Sequence, residues 1–368
     1  MKIAMIGQKK VPSRLGGIEV AVEALAVRMA RRGHEVTLYN CRRQTKKKKI
    51  LRKRRRYRGV FIREIGVPDI RGLSAFLGSL AATLLALPGG YDCIHYHGEG
   101  PAAMAFLPKM LGIRTVVTVH GLDWQRSKWG KFASWYLKQG EKSACRFADE
   151  IIVLSRAVQE YFLDRYGRQT VMIPNGTTKP EKRTPRQIAR WGLEKDGYIL
   201  YLGRVVPEKG IENLIRAFLE VRTEKKLVIA GSQSDTKKFY EAMQAAARED
   251  PRVLFTGFVA GDELDELYSN CYLYCLPSEL EGMPLSLLEA MSYGCCCLCS
   301  DIPECAEVLG SGGVLFRTGS REDLSRKLQQ LCDHRELVEA ARERADEAFF
   351  ARYDWEKIAD QTLLLYRG

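Results

Sequence analysis

The sequence predicts an α/β chain made of two doubly wound domains, each a mostly parallel sheet covered by helices, facing a central cleft. Three observations predict it. Short apolar runs alternate with longer amphipathic ones along almost the whole chain, as in parallel strands joined by crossover helices. At 368 residues the chain exceeds a single hydrophobic core, so two domains are expected. A turn at Pro174-Asn175-Gly176, followed by a polar stretch to about Arg190, interrupts the alternation, which then restarts. The resulting boundaries are 1–173 for the first domain, 174–190 for a linker, 191–350 for the second domain and 351–368 for a closing helix.

In the first domain the apolar runs Ile3–Ile6, Glu35–Tyr39, Val60–Ile65, Cys93–Tyr96, Thr115–Val119 and Glu150–Leu154 read as strands. Ile18–Arg32, Ala102–Leu111, Lys131–Phe147 and Ala157–Tyr166 have helical spacing. In the second, Tyr198–Leu202, Leu227–Ala230, Val253–Phe255, Tyr272–Cys275, Cys296–Cys299 and Val314–Phe316 are the strands. Its helices fall near Ile211–Arg222, Lys237–Arg248, Pro284–Tyr293 and Arg321–Cys332, and Trp355–Tyr366 closes the chain as an amphipathic helix. Functional loops then belong at the C-terminal ends of the strands.

Hydrophobic content of 46% and charged content of 28% fit a globular enzyme and exclude a fibrous or disordered chain. The net charge of +13 is lopsided. Residues 1–173 hold 32 Lys and Arg against 13 Asp and Glu, whereas the remainder is mildly acidic. Much of the excess lies in Arg42–Arg58, with twelve basic residues in seventeen. Such a run is a solvated loop, a nucleic-acid arm or a dock for an anionic membrane surface. The charge-free stretch Leu73–Leu87 that follows favours the membrane; it is too short to span a bilayer and reads as a core helix whose exposed face could dip into the interface. No nucleic-acid partner is expected. The N-terminus MKIAMIGQ reads as a strand and loop rather than a signal peptide. Four of the eleven cysteines crowd one apolar segment, where adjacent strand residues point to opposite faces and cannot close a tetrahedral metal site by themselves. Cys295, Cys296, Cys297 and Cys299 read as small hydrophobes of a buried strand in a cytosolic protein.

Residues 278–290 read SELEGMPLSLLEA. Pro284 suits the first turn of a helix, which leaves Glu281 in the preceding loop and Glu289 inside. The amide groups of Gly282, Met283 and Leu285 around Pro284, with the positive end of the helix dipole, suit a diphosphate. A carboxylate on each side can accept hydrogen bonds from sugar or ribose hydroxyls. A capped amphipathic helix with incidental acids fits that segment equally. Gly203-Arg204-Val205-Val206-Pro207-Glu208-Lys209-Gly210 follows a strand and opens a helix, so Arg204 and Lys209 stand at a sheet edge, where two cations stabilise a leaving diphosphate.

In this order these segments, with Pro174-Asn175-Gly176 and Ser300-Asp301-Ile302-Pro303-Glu304, resemble the family 4 retaining glycosyltransferases, which have the GT-B fold of two Rossmann-like domains. The resemblance covers essentially the whole chain. It implies that Arg204 and Lys209 bind the donor diphosphate, Glu289 the ribose and Glu281 the transferred sugar. It also implies that backbone groups near Phe258 and Val259 meet the base, and that the closing helix returns to the first domain. No metal or cofactor is expected beyond the nucleoside-diphosphate sugar donor. The cysteine run departs from the family, whose members commonly have Pro, Val and Ala there, and this puts only the local packing in question.

In the first domain Pro12-Ser13-Arg14-Leu15-Gly16-Gly17-Ile18-Glu19 joins strand to helix. Glycines there let backbone approach a phosphate closely, although a flexible linker would read the same way; the resemblance favours Gly16 and Gly17 closing over the diphosphate. His120, after a valine-rich strand and three residues before Asp123, becomes by resemblance a donor-sugar contact. HGLDWQRSKW and GQKKVPSRLGGIEV look like a bacterial subgroup containing rhamnosyltransferases of surface-polysaccharide assembly. In His95-Tyr96-His97-Gly98-Glu99 both histidines share a face, but no Asp-x-Asp accompanies them. A metal is therefore not expected, and an acceptor-side role for His97 or Glu99 stays open.

The expected activity is transfer of a hexosyl unit, rhamnosyl among the candidates, to a glycan or lipid-linked acceptor in cell-surface polysaccharide synthesis. The place expected for it is cytoplasmic, peripheral at the inner face of the plasma membrane. Retention is implied by the resemblance and not by spacing; no two carboxylates can be assigned as nucleophile and acid in the glycosidase manner. The alternatives are a nucleotide-sugar epimerase of the same fold and a nucleic-acid-binding protein using the 42–58 arm.

Overall fold

The computed structural model describes residues 1–44, 54–68, 70, 73–126, 129–232, 237–342 and 347–368. The chain divides into two compact units, one of Met1–Asn175 with Trp355–Gly368, the other of Gly176–Asp354. Most of the basic run, and Ser127 and Lys128 of the HGLDWQRSKW segment, lie outside the described residues.

The first unit is built on β1 (Lys2–Ile6), β2 (Glu35–Gln44), β3 (Arg55–Tyr57), β4 (Val60–Pro68), β5 (Cys93–His97), β6 (Arg114–Val119), β7 (Glu150–Val153) and β8 (Val171–Met172). Their order in the sheet is β3-β4-β2-β1-β5-β6-β7-β8. All pairings are parallel except β3 with β4. The central strands are buried on both faces, as β1, β5 and β6 show, which is why they read as continuous apolar runs rather than as alternating ones.

The short edge strand β3 carries the described end of the basic run. Arg54 pairs with Glu35 at 2.8 Å and lies 3.3 Å from the centre of the Phe61 ring, with Arg56 over the same ring at 5.4 Å. Charged side chains on a short edge blunt further strand pairing. The helix expected over Ala102–Leu111 is two short ones, Glu99–Ala102 and Phe106–Met110, with Pro101 in the first and Pro108 in the second, and no single helix runs through the segment. The apolar helix Ser74–Ala86 buries Gly78, Ser79, Ala82, Thr83 and Ala86, while Leu84 remains exposed. None of the described helices is long and apolar enough to cross a membrane.

The helix Trp355–Leu365 belongs to this first unit. Arg28 and Arg32 of the first helical segment reach Glu356 at 2.8 and 2.9 Å, and Arg32 reaches Asp360 at 2.7 Å. Arg114 Nε donates to the Leu365 carbonyl at 2.6 Å.

The second unit is a six-stranded parallel sheet of β9 (Tyr198–Leu202), β10 (Lys226–Ala230), β11 (Val253–Gly257), β12 (Leu273–Leu276), β13 (Cys297–Ser300) and β14 (Val314–Phe316). The order is β11-β10-β9-β12-β13-β14. The chain from Gly176 through the polar stretch is part of this unit rather than a free linker. The buried carboxylate of Glu266 organises it by accepting the amides of Arg186, Gln187 and Ile188 at 2.8, 2.7 and 3.1 Å. Burial alone would raise its pKa, but these three donors outweigh burial and hold it below the ordinary value. The cysteine strand begins at Cys297, and Cys295, Cys296, Cys297 and Cys299 are all buried free thiols.

Candidate active site

Parallel sheets bind ligands outside the carboxyl ends of their strands, at the point where the strand order reverses. In the second unit that point lies between β9 and β12, whose outgoing segments are Gly203–Lys209 and Pro277–Pro284. These carry the residues singled out from the sequence. Lys209, ending a short 3-10 turn at Pro207–Lys209, forms an ion pair with Oε1 of Glu281. Their side chains are only 14% and 8% exposed, so this pair is withdrawn from water. Ser278 Oγ donates to the same Glu281 oxygen at 2.7 Å, and Ser300 Oγ donates to the Ser278 carbonyl. A cation, a hydroxyl and a carboxylate are thereby fixed against one another at the end of the sheet.

The two loops are held together by backbone. Gly210 has φ +65°, and a Cβ there would lie 2.0 Å from the Pro277 carbonyl oxygen. Glu279 N donates to the Glu208 carbonyl at 3.0 Å. Arg204 sits in the turn after β9, where the buried Tyr201 hydroxyl donates to its carbonyl at 2.9 Å. The loop after β10 comes just as close, since a Cβ on Gly231 would meet the Gly203 carbonyl oxygen at 1.8 Å.

Pro284 is the residue before the helix, not its first helical residue; the helix is Leu285–Ser292. Its carbonyl accepts the amides of Leu287 and Leu288 at 3.1 and 3.2 Å. The turn Gly282–Pro284 therefore delivers the chain into a helix whose first amides face the loop side. Glu289 lies one turn inside, with Tyr268 Oη donating to its Oε2 at 3.1 Å. Tyr268 is fully buried and stacked on Tyr293, ring centres 5.2 Å apart. Burial, then the Glu289 charge, push its hydroxyl well above the ordinary range, so it stays a neutral donor. Val259 is buried, whereas the Phe258 ring is 49% exposed just beyond β11.

In the first unit the strand order reverses between β1 and β5. The loop after β1 is pinned by Asn40, whose side-chain amide accepts from Val11 N at 3.1 Å and donates to Val11 O at 2.9 Å. Gly16 is the extended residue before the helix Gly17–Arg31, and no side chain caps that helix start. Glu19, in its first turn, accepts the Lys9 amide at 3.0 Å, and a Cβ on Gly16 would lie 2.3 Å from its other oxygen. A side chain at 16 would have to displace only the flexible end of Glu19, so this contact does not by itself demand glycine.

His120 follows β6 and belongs to a stack of three imidazoles. The ring centres of His95 and His97 are 4.1 Å apart, and those of His97 and His120 5.4 Å. His97 Nδ1 lies 3.1 Å from His120 Nε2. His95 bonds through Nδ1 to Tyr366 Oη at 2.6 Å and through Nε2 to Thr118 Oγ1 at 2.7 Å. Burial, with its neighbour's charge added, lowers His95 to about 3; burial lowers His120 to about 4 against the upward pull of Asp123, and takes His97 well below its ordinary value. All three are neutral at pH 7.

The sequence left an acceptor-side role open for His97 or Glu99. Both are 1% exposed, so neither side chain presents itself to a ligand from solvent. Glu99 instead accepts the Asp123 amide at 3.1 Å, beneath the loop after His120. Its carboxyl is held well above the ordinary range by burial and by Glu141. Glu141 in turn accepts the hydroxyls of Tyr161 and Tyr166 at 3.1 and 2.6 Å. Among the described residues no cluster of three or more His, Cys, Asp or Glu side chains is arranged to hold a metal ion.

Some contributors were not singled out from the sequence. Ser278 bonds Glu281 and Ser300 bonds the Ser278 carbonyl, at and just beyond strand ends, where serine carries no distinctive spacing. Tyr268 reaches Glu289 across 21 residues, a pairing no local pattern reveals. Glu304, quoted within a motif but given no role, is half-buried near Glu281. Burial raises its pKa, and the charges of Glu281 and Glu307 add to this.

Both halves of the chain match known families. A family model described as "Glycosyltransferase Family 4" matches residues 15–178, and one described as "Glycosyl transferases group 1" matches residues 184–348. The uncharacterized glycosyltransferase YqgM of Bacillus subtilis is 29% identical over 211 residues, 55% of this chain and 57% of its own length. The uncharacterized glycosyltransferase MJ1607 of Methanocaldococcus jannaschii is 26% identical over 395 residues, 100% of this chain and 98% of its own. The O-antigen chain mannosyltransferase B of Escherichia coli is 27% identical over 185 residues, 49% of this chain and 48% of its own. The chain thus spans about half the length of the first and third of these relatives. Among solved structures, sucrose-phosphate synthase from Thermosynechococcus elongatus superposes with a TM-score of 0.82 at 22% identity, over 100% of this chain and 98% of that one. Anabaena HepE, solved in complex with UDP-glucose, gives 0.80 at 19% identity over 99% and 98%. At these identities the likeness is one of fold. Two parallel-sheet units of the GT-B kind, each matched along most of its length by a glycosyltransferase model, make this chain an enzyme of the group 1/family 4 glycosyltransferases.

Proposed function

We propose that this glycosyltransferase moves a hexosyl unit, rhamnosyl being one candidate, from a nucleoside-diphosphate sugar to a hydroxyl of a glycan or lipid-linked acceptor. The process it serves in this reading is cell-surface polysaccharide synthesis. The observation that carries the donor assignment is the buried Lys209–Glu281 pair at the strand-order reversal of the second unit. A cation there, with Arg204 in the same turn and the start of the helix Leu285–Ser292 beside it, suits two phosphates. Glu281 receives sugar hydroxyls in this reading, and Glu289 the ribose. Phe258 and Val259 lie toward the base, with Gly282, Met283, Pro284 and Leu285 lining the phosphates. On the first unit Gly16 and Gly17 are proposed to touch the donor diphosphate and His120 the sugar.

The bond from the anomeric carbon to the diphosphate oxygen breaks, and a bond from that carbon to the acceptor oxygen forms. The acceptor proton passes to the departing phosphate on the same face, so configuration is retained. Arg204 and Lys209 stabilise the charge that collects on the leaving group. No metal or other cofactor is required by this scheme.

An anionic membrane surface is the proposed partner at the acceptor side, with the enzyme peripheral at the cytoplasmic face of the plasma membrane. Arg42–Arg58 supports this. So does the helix Lys131–Phe147, which exposes the stacked rings of Phe132 and Trp135 and also exposes Lys131, Lys142 and Arg146. Co-sedimentation with anionic and neutral vesicles tests it, and equal binding to both would refute the docking.

The activity is tested by a nucleotide-sugar panel assayed for nucleoside diphosphate release with a lipid-linked acceptor. One donor is expected to stand out, with Arg204→Ala lowering its turnover by about 100-fold or more while the protein stays folded. Near-wild-type turnover in that variant would overturn the donor site.

A further inference from the structure

We propose that His97 is a positioning residue that fixes His120 as the tautomer protonated on Nδ1, so that His120 offers its ligand an N–H donor and not a lone pair. The inference rests on the proposed donor contact of His120 only for its kinetic consequence. The tautomer assignment stands on the geometry alone.

His97 Nδ1 and His120 Nε2 are 3.1 Å apart, so exactly one of the two carries the shared proton when both rings are neutral. If that proton were on His120 Nε2, His97 Nδ1 would be the acceptor and His97 would carry its own proton on Nε2. His97 Nε2 is buried and has no hydrogen-bond partner among the described residues. A buried N–H without an acceptor is the rarer and costlier arrangement, whereas a buried lone pair without a donor is tolerated more often. The favoured arrangement therefore puts the His97 proton on Nδ1, pointing at His120 Nε2. His120 must then hold its proton on Nδ1, the ring nitrogen turned away from His97.

The surroundings lock this choice. His97 cannot swing out, because the His95 ring lies against it at 4.1 Å and His95 is itself tied at both nitrogens to Thr118 and Tyr366. The backbone of His97 is equally fixed, since a Cβ on the neighbouring Gly7 would meet the His97 carbonyl oxygen at 2.2 Å. His120, at the open end of the stack, is the only one of the three rings that is not fully buried. A partner for its Nδ1–H would be an oxygen with a free lone pair, such as a sugar hydroxyl or a phosphate oxygen. A bare N–H or ammonium group would be rejected.

The test is long-range 15N–1H spectroscopy of the full-length enzyme with 15N-labelled histidine, with His120 assigned through His120→Gln. Wild type is expected to show His120 protonated on Nδ1 at pH 7. In His97→Phe, which keeps the ring volume and removes the donor, His120 is expected to shift toward the Nε2 tautomer. The donor KM is expected to rise about tenfold with kcat little changed. His97→Asn, whose amide nitrogen can stand where Nδ1 stood, is expected to recover both. An Nε2 tautomer in wild type overturns the inference, as does a folded His97→Phe enzyme with the His120 signals unmoved. A shifted tautomer with an unchanged donor KM upholds the positioning and overturns the donor contact of His120 instead.

Discussion

Lys209 and Glu281 illustrate how a single pair can be both structure and chemistry. Removing one partner of a buried ion pair leaves the other charge without compensation, at a cost of about 3–5 kcal/mol. Lys209→Ala is therefore expected to lower stability by roughly that amount, and kcat/KM by about 100-fold or more. Pairing Lys209→Met with Glu281→Gln is expected to restore most of the stability without restoring turnover. Denaturant unfolding and steady-state assays on the same preparations separate the two effects. If activity returned with stability, the pair would be structural only. Both residues were legible in the sequence because a glycine-bounded turn after an apolar strand, and a proline before a helix, place them locally. Their mutual contact was not legible, since 72 residues separate them. Nor was the burial of His97, because alternation along β5 tells which residues share a face but not what covers that face.

Among elements, the segments that leave β9 and β11 show how glycine can be needed for two different reasons. Gly210 and Gly257 both adopt positive φ, +65° and +74°, but only Gly210 faces a backbone oxygen at close range. Gly257→Ala is expected to cost about 1 kcal/mol from backbone strain alone. Gly210→Ala adds a clash with the Pro277 carbonyl that backbone must move to relieve, and it should cost at least about 2 kcal/mol while weakening donor binding. Equal losses for the two variants in chemical denaturation would show that the Gly210 turn yields readily. The interior strands were legible from their apolar runs, most with ends shifted by a residue or so, but β2 and β4 run on five and three residues past their apolar stretches. The edge strand β3 was hidden inside a run of cations whose composition spoke only of solvent and partners. The polar stretch before Arg190 resembled a linker because the carboxylate that organises it, Glu266, lies some eighty residues downstream.

For the whole molecule, the buried histidines make the first unit the acid-sensitive one. His95 and His97 are neutral in the fold, with pKa values depressed from 6.5, His95 to about 3. The unfolded chain binds their protons and the native state does not, so stability is full above about 6.5 and is lost as pH falls toward the folded values. Each contributes up to about 1.4 kcal/mol per pH unit in that window. Glu99, held protonated by burial, works the other way: its contribution is complete below its ordinary value of 4.5 and fades as pH rises. With His120, lowered to about 4, three histidines stand against this one carboxyl, and acidification brings a net loss. Unfolding midpoints of wild type are expected to fall between pH 6.5 and 4.5, and to fall less steeply in a His95→Gln variant that remains folded. A pH-independent midpoint in wild type would contradict the buried, neutral stack. The two-unit α/β plan itself was legible, because alternating apolar and amphipathic runs report sheet and helix directly. The assignment of the last helix to the first unit rested on resemblance alone.

That helix also sets an order of events during synthesis. The first unit begins with Met1, yet Arg32, His95 and Arg114 wait for partners at Asp360, Tyr366 and Leu365. The second unit, Gly176–Asp354, is made entirely in between. On the ribosome it has all its residues before the earlier unit does, so the half of the enzyme that is started first is the one that is finished last.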